Sequence, residues 1–228
     1  MGTFTFEGRA VSYLDEGAGE QAVLLVHGFP FAASMWEPQI PVAVEAGRRA
    51  VAPDLPGFGG SDVPADRSAY SIEGYADLVA ALIADLGLGR VVLVGLSMGG
   101  YIALAVARRH PEVLAEGSPR HEEAAARLGQ MMRSTAPAGW VGALEAMKQR
   151  SDQTDLLPQV SVPVLVVVGE SDALVPLDVA EAMAKAIPGA RFEVVPGAGH
   201  VSNLENPEVF NRALSDFLEA LPAAGPAA

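Results

Sequence analysis

Four short runs of apolar residues without polar alternation constrain the fold of this chain most strongly. They lie at 22–26, 50–52, 91–94 and 164–168. A strand with one wet face alternates apolar and polar residues, whereas a continuously apolar strand is covered on both faces, as in a parallel sheet. Helical periodicity of apolar residues is found at 72–87, 99–109, 178–187 and 207–221. Strands that alternate with helices predict an α/β protein with a mostly parallel central sheet and helices on both faces.

The two ends of the chain complete this outline. Residues 4–13 alternate apolar and polar side chains, which predicts an antiparallel edge, and the apolar run at 192–195 predicts one more strand. A chain of 228 residues fits a single domain, which we place at 1–221. The end at 222–228, rich in Pro, Ala and Gly, is expected to be a flexible tail.

Composition excludes several kinds of partner and site. The formal net charge is −13 and the basic residues are scattered, so we expect neither nucleic acid nor a membrane surface as a partner. The sequence contains no export signal or membrane span and no cysteine, so we expect a cytoplasmic protein. A metal site is not expected, because cysteine is absent and the histidines are limited to His27, His110, His121 and His200.

A Gly-x-Ser-x-Gly motif, Gly95-Leu96-Ser97-Met98-Gly99, connects the apolar run at 91–94 to the helical stretch that follows. In that context the serine occupies a sharp turn between strand and helix, where glycines avoid collisions with the neighbouring backbone. The turn exposes the hydroxyl at the helix N-terminus, where backbone N–H groups can stabilise an oxyanion. Ser97 is therefore the predicted nucleophile.

Four further motifs accompany the one at Ser97. They are His27-Gly28-Phe29-Pro30, Asp54-Leu55-Pro56-Gly57-Phe58-Gly59-Gly60-Ser61-Asp62, Gly169-Glu170-Ser171-Asp172 and Gly197-Ala198-Gly199-His200. With these motifs the chain resembles the α/β-hydrolase superfamily, and within it the 3-oxoadipate enol-lactonase-like carboxylesterases and lactonases, over 4–111 and 136–221. The resemblance implies an α/β-hydrolase fold with a helical cap, and hydrolysis of a carboxylic ester or lactone without a cofactor.

A serine nucleophile needs a base and an acid that orients the base. An imidazole activates the hydroxyl, and a carboxylate holds the imidazole in the correct tautomer. Asp172 and His200 each follow a late apolar run, which gives the chain order serine, acid, histidine that this fold uses. We prefer Asp172 to Glu170, which lies too close to its strand end, and to Asp62, which belongs to a turn.

The loop after the first central strand supplies further candidates. The backbone N–H groups of Phe29 and Met98 are the predicted oxyanion hole, because the donors follow that strand and the nucleophile. His27 is predicted to shape the loop by hydrogen bonding and not to act as acid or base. For the substrate pocket the sequence offers Trp36 and Leu174.

The interval between Ser97 and Asp172 is shorter than the resemblance implies. The family has a further strand and then a helical cap there, but no apolar run of strand length follows the helix. We therefore expect a missing segment near 112–120 and a reduced cap at 119–150. A deletion or an absent stretch of sequence is preferred over a natural short form, and a strand exchanged with a partner molecule is the other explanation. Losing the strand would displace Asp172 and His200 relative to Ser97 by about 4.8 Å, beyond hydrogen-bond reach.

The function predicted from these motifs is that of a serine hydrolase that cleaves carboxylic esters or lactones through an acyl-enzyme. The expected partner is a small-molecule substrate, and a homodimer is left open. Two alternatives also stay open. One is perhydrolase or cofactor-free haloperoxidase-like chemistry on the same three residues, and the other is a non-catalytic binding protein or deletion variant with the hydrolase fold.

Overall fold

The computed structural model describes residues 1–115, 118–120 and 136–221, with backbone alone for 118–120. The strands are β1 (Gly2–Phe6), β2 (Arg9–Glu16), β3 (Ala22–Val26), β4 (Arg49–Pro53), β5 (Val92–Gly95), β6 (Ser118–Arg120), β7 (Val164–Gly169) and β8 (Arg191–Val195). The helices of these ranges are α1 (Ile40–Glu45), α2 (Ile72–Asp85), α3 (Met98–Arg109), α4 (Pro137–Gln149), α5 (Leu177–Ala186), α6 (Ser202–Glu205) and α7 (Pro207–Ala220). None of these helices combines the length and apolar composition that crossing a membrane requires.

The strands of the described residues form one sheet in the order β1-β2-β4-β3-β5-β6-β7-β8. β1 pairs antiparallel with β2 and β2 pairs antiparallel with β4, whereas the remaining neighbours are parallel. The predicted α/β-hydrolase sheet, mostly parallel with an antiparallel N-terminal edge, is confirmed. The long helices begin and end within two residues of the predicted stretches.

The central strands are apolar on both faces because helices cover both faces. Successive side chains of a strand point to opposite faces. In β3, Leu24 and Val26 belong to the core that includes residues of α2 and α3, whereas Val23 and Leu25 belong to the core with residues of α1 and α7. All four side chains are fully buried. The strand sequence therefore lacks alternation because one hydrophobic core lies on each face of the sheet.

The short strand β6 occupies the sheet position at which the sequence was expected to lack a strand, while the missing segment near 112–120 stays a prediction. β6 pairs in parallel with β5 on one side and with β7 on the other. Just before it, Leu114 forms a parallel bridge with Val91. The position between β5 and β7 is therefore filled by this chain, and no strand from a partner molecule is needed. Sequence reasoning missed β6 because Ser118-Pro119-Arg120 has no apolar pattern and depends on two neighbours for its hydrogen bonds.

Helix α4 is the described part of the cap predicted at 119–150. A side chain at Gly139 would collide with the carbonyl of Gly57, so glycine allows the helix to lie directly against the loop after β4. The part of the predicted cap at 121–135, which includes His121, and the tail at 222–228 lie outside the described residues. The single domain at 1–221 stays a prediction.

Candidate active site

Ser97 lies in the sharp turn between β5 and α3. Its backbone has φ 47° and ψ −108°, a region that non-glycine residues adopt at a cost in strain. Glycine is required beside it, because a Cβ at Gly99 would collide with the carbonyl of Val26, and a Cβ at Gly95 with that of Gly99. The close approach of β3, β5 and α3 therefore holds the serine hydroxyl at the helix N-terminus.

The structure brings Ser97, His200 and Asp172 together in one hydrogen-bonded chain. His200 Nε2 lies 3.1 Å from Ser97 Oγ, and His200 Nδ1 lies 3.0 Å from each carboxylate oxygen of Asp172. The displacement by about one strand spacing that loss of a strand would cause is therefore not found. It does not occur because β6 keeps β5 and β7 apart by the width of a strand.

The surroundings of Asp172 suit it as the group that orients the imidazole. Its side chain is fully buried, and its Oδ1 accepts the backbone N–H groups of Leu174 at 2.8 Å and Val175 at 2.9 Å. These two backbone donors fix the direction of the carboxylate. With Nδ1–H of His200 donating to the carboxylate, Nε2 is left as the acceptor that faces the Ser97 hydroxyl.

The two rival acids contact other groups. Glu170 accepts the backbone N–H of Gly197 at 2.9 Å, and Asp62 accepts that of Ala10 at 2.7 Å. His200 Nδ1 instead faces Asp172, at 3.0 Å from each carboxylate oxygen, so the geometry favours Asp172 as the acid.

His27 is a fully buried hydrogen-bonding residue of the loop after β3, as predicted. Its Nε2 accepts the backbone N–H of Leu55 at 3.0 Å, so its Nδ1 carries the proton and donates to the carbonyl of Gly28 at 2.9 Å. Burial lowers the pKa of His27, against smaller opposing effects of the Gly28 carbonyl and Asp54. The imidazole is therefore neutral and ties two loops together.

The predicted oxyanion-hole donors lie at adjacent strand ends. Phe29 is in the loop after β3, Met98 is the first residue of α3, and β3 pairs in parallel with β5. Neither backbone N–H donates a hydrogen bond to another group of the described residues. Met98 is buried as a whole residue, whereas Phe29 is partly exposed, and their role as oxyanion-hole donors stays a prediction.

The two pocket candidates have different outcomes. Trp36 is 0% exposed and belongs to the core beneath α1 and α7, so the prediction that it lines the pocket is wrong. The sequence could not show which face of the sheet its loop would cover. Leu174 is 73% exposed on the loop after Asp172, where it stays a candidate for substrate contact.

Trp140 on α4 contacts Phe29, a candidate site residue, and was not predicted from the sequence as a neighbour of the site. Its ring lies edge-on to the ring of Phe29, with 5.0 Å between centroids, and Phe29 also contacts Phe58 at 6.4 Å. The three rings form an aromatic wall at the loop that carries the Phe29 N–H. The available signal was an aromatic residue in a predicted cap helix, but only tertiary packing shows which way it faces.

No group of three or more His, Asp and Glu side chains in the described ranges is arranged to hold a metal ion. The groups gathered at the site are a hydroxyl, an imidazole, a carboxylate and backbone N–H donors. Groups of these kinds can carry out nucleophilic acyl transfer.

Comparison with known proteins agrees with the fold. A putative non-heme chloroperoxidase from Synechocystis sp. is 28% identical over 264 aligned positions, which cover 92% of this chain and 95% of that protein. The aligned length exceeds the 228 residues of this chain, so that relative has residues that this chain lacks.

Solved structures give the same result. A thermophilic esterase from Thermogutta terrifontis is 34% identical with a TM-score of 0.85, and the match covers 95% of this chain and 96% of that one. The enol-lactonase from Burkholderia xenovorans LB400 shares the fold at 23% identity and a TM-score of 0.85, with 95% and 99% covered. The sequence model described as the alpha/beta hydrolase family matches residues 23–213. The chain therefore belongs to the alpha/beta hydrolase family.

Proposed function

We propose that the protein is a serine hydrolase that cleaves small carboxylic esters or lactones through an acyl-enzyme. The observation that carries this proposal is the chain of hydrogen bonds from Ser97 Oγ to His200 Nε2 at 3.1 Å and from His200 Nδ1 to Asp172 at 3.0 Å. The esterase and enol-lactonase among its structural neighbours support the same substrate class.

Acylation begins when Ser97 Oγ attacks the carbonyl carbon of the substrate. His200 Nε2 accepts the hydroxyl proton, and the buried carboxylate of Asp172 stabilises the imidazolium that forms. The former carbonyl oxygen, now an oxyanion, accepts hydrogen bonds from the backbone N–H groups of Phe29 and Met98. The carbon–oxygen ester bond then breaks, and His200 returns the proton to the leaving alcohol. In a lactone, that alcohol stays attached to the acyl group.

Deacylation repeats these steps with water as the nucleophile. His200 removes a proton from the water, which attacks the acyl carbon, and then returns the proton to Ser97 Oγ. The products are a carboxylic acid and the free enzyme.

The proposal is tested by comparing ester hydrolysis by the wild-type protein and Ser97→Ala. With p-nitrophenyl butyrate we expect kcat/KM to fall at least about a thousandfold, because the nucleophile is lost while the oxyanion donors remain. Ser215→Ala is the matched control, since Ser215 contacts Glu219 on the exposed side of α7. Equal rates for wild type and Ser97→Ala would refute the proposed enzyme activity and favour the alternative of a non-catalytic binding protein or deletion variant. Hydrolysis of a five-membered lactone, measured by the release of acid, distinguishes lactonase from esterase activity.

A second candidate function uses the same acyl-enzyme and is favoured by the chloroperoxidase relative. In the deacylation step, hydrogen peroxide would attack the acyl carbon in place of water and release a peracid. Over the whole cycle, a carboxylic acid and hydrogen peroxide give a peracid and water. The peracid then oxidises bromide to hypobromite. For this activity we expect the wild-type protein to brominate monochlorodimedone in acetate with bromide and hydrogen peroxide. Ser97→Ala is expected to lose this bromination.

A further inference from the structure

The loop that carries His200, residues 196–201 between β8 and α6, is held by two carboxylates that the proposed mechanism does not use. Glu170, which follows β7, accepts the N–H of Gly197 at 2.9 Å. Glu205, the last residue of α6, accepts the N–H of Gly199 at 2.6 Å through Oε2 and that of Val201 at 3.2 Å through Oε1.

The two bonds of Glu205 are made to the residues on either side of His200. One carboxylate therefore spans the backbone of the base, with one oxygen on each flank. Bonds from backbone N–H to an ionised carboxylate are stronger than those between neutral groups. The fit is close, because a Cβ at Gly199 would lie 3.3 Å from each carboxylate oxygen.

Glu205 stands on a helix that is itself anchored in the interior. Asn203 of α6 is fully buried and donates to Gln39 Oε1 at 3.0 Å and to the carbonyl of Met35 at 3.4 Å. Gln39 in turn donates to the carbonyl of Asn203 at 3.0 Å. Helix α6 is thus anchored to the core beneath the sheet, and it is also bonded to the loop, because the backbone N–H of Glu205 donates to the carbonyl of Val201 at 3.0 Å.

We propose that Glu205 is a positioning residue for His200, and that its carboxylate fixes the loop so that Nε2 meets the Ser97 hydroxyl. This inference rests on the proposed function. The imidazole has hydrogen bonds at both ends, to Ser97 and to Asp172, so a shift of the backbone at His200 lengthens at least one of them. Misplacement of a catalytic group by 1 Å costs up to about a hundredfold in rate.

The test compares Glu205→Ala, Glu205→Gln and Glu208→Gln. Alanine removes both acceptors, whereas glutamine keeps the size of the side chain and one acceptor oxygen, and places an N–H₂ group against the second donor. Glu208→Gln is the matched control, because Glu208 is 85% exposed on α7 and pairs with Arg212 at 3.0 Å. Thermal unfolding shows which variants are folded at the assay temperature.

Two rates are measured for each protein. The first is steady-state hydrolysis of p-nitrophenyl butyrate, which separates kcat from KM. The second is the second-order rate of p-nitrophenolate release by diethyl p-nitrophenyl phosphate, which phosphorylates the activated serine and needs no ester turnover. For Glu205→Ala we expect both kcat and the phosphorylation rate to fall about tenfold or more, with KM changed less than about twofold. Glu205→Gln is expected to lie between Glu205→Ala and the wild type.

Loss of kcat and of phosphorylation in folded Glu205→Gln, with KM and the control unchanged, supports the proposal. If Glu205→Ala does not fold, Glu205→Gln decides. Wild-type rates in Glu205→Gln and in folded Glu205→Ala overturn the proposal. An equal loss of kcat and of the phosphorylation rate in Glu208→Gln also overturns it. If the wild type is phosphorylated at Ser97 but hydrolyses no ester or lactone, the proposed substrate class fails and the phosphorylation rates still test Glu205. Absence of phosphorylation in the wild type overturns both proposals, since no base would then activate Ser97.

Discussion

At the scale of single residues, two histidines show that the groups facing an imidazole decide what it can do. His200 Nε2 faces a hydroxyl, which can transfer its proton, and its Nδ1 faces a buried carboxylate. His27 Nε2 faces the amide N–H of Leu55, which keeps its proton, and its Nδ1 faces the carbonyl of Gly28. Both follow apolar strands, so the strand pattern alone does not separate the base from the structural histidine.

Burial of His27 predicts a pH dependence of stability. Because burial lowers the pKa of His27 below its ordinary value of 6.5, the unfolded chain takes up a proton in acid that the folded chain does not. The free energy of unfolding should therefore fall as the pH drops below 6.5, by at most about 1.4 kcal/mol per pH unit, until the folded state is protonated as well. Urea unfolding between pH 8 and 5 measures this slope.

The matching variants isolate the contribution of His27. His27→Asn should be less stable at pH 8 but should lose less stability on acidification than the wild type. His110→Asn is the control, because His110 is about a quarter exposed and bonds to Asp77 at the protein surface. Parallel stability curves for wild type and His27→Asn would contradict the assignment.

At the scale of elements, the contact between β3, β5 and α3 forms the turn that presents Ser97. A Cβ at Gly99 would collide with backbone carbonyls of Val26 and His27, which cannot rotate away. At Gly100 the nearest atom to a Cβ is the carbonyl oxygen of Gly95 at 3.6 Å, an ordinary contact. Neighbouring glycines in one motif therefore have different requirements.

These contacts predict opposite results for two substitutions one residue apart. Gly99→Ala should cost about 1–3 kcal/mol of stability and lower Tm by about 3–9 °C, with loss of hydrolysis as the turn shifts. Gly100→Ala should leave Tm unchanged or slightly raised, since alanine is favoured by up to about 1 kcal/mol in a helix interior. Differential scanning calorimetry with ester assays checks both. Equal effects of the two variants would show that backbone contact does not set the turn.

Much of the element order could be predicted because it depends on local pattern. The buried strands, the long helices and the Ser97 motif are each encoded in a few consecutive residues. Features that depend on contacts distant in sequence could not be predicted, such as β6, the burial of Trp36 and the direction of Trp140. Glu205 belongs to the same group, because its bonds become visible only once the loop at 196–201 has a path.

At the scale of the whole molecule, a short chain retains the sheet geometry of longer relatives. Ser97 follows β5, Asp172 follows β7 and His200 follows β8, so their spacing depends on the strand between β5 and β7. The three residues of β6 occupy that position, although a relative aligns over 264 positions with this chain of 228 residues. A minimal strand is thus sufficient to keep the hydrogen-bonded chain intact.

The most direct test of the account is to identify the residue that a fluorophosphonate labels covalently. The wild-type protein, reacted to completion, digested and analysed by mass spectrometry, should carry one adduct per chain on the peptide containing Ser97. Ester hydrolysis should fall in proportion to labelling, and Ser97→Ala should take up no label. Labelling of another residue, or full hydrolysis by Ser97→Ala, would contradict the assignment of Ser97 as the nucleophile.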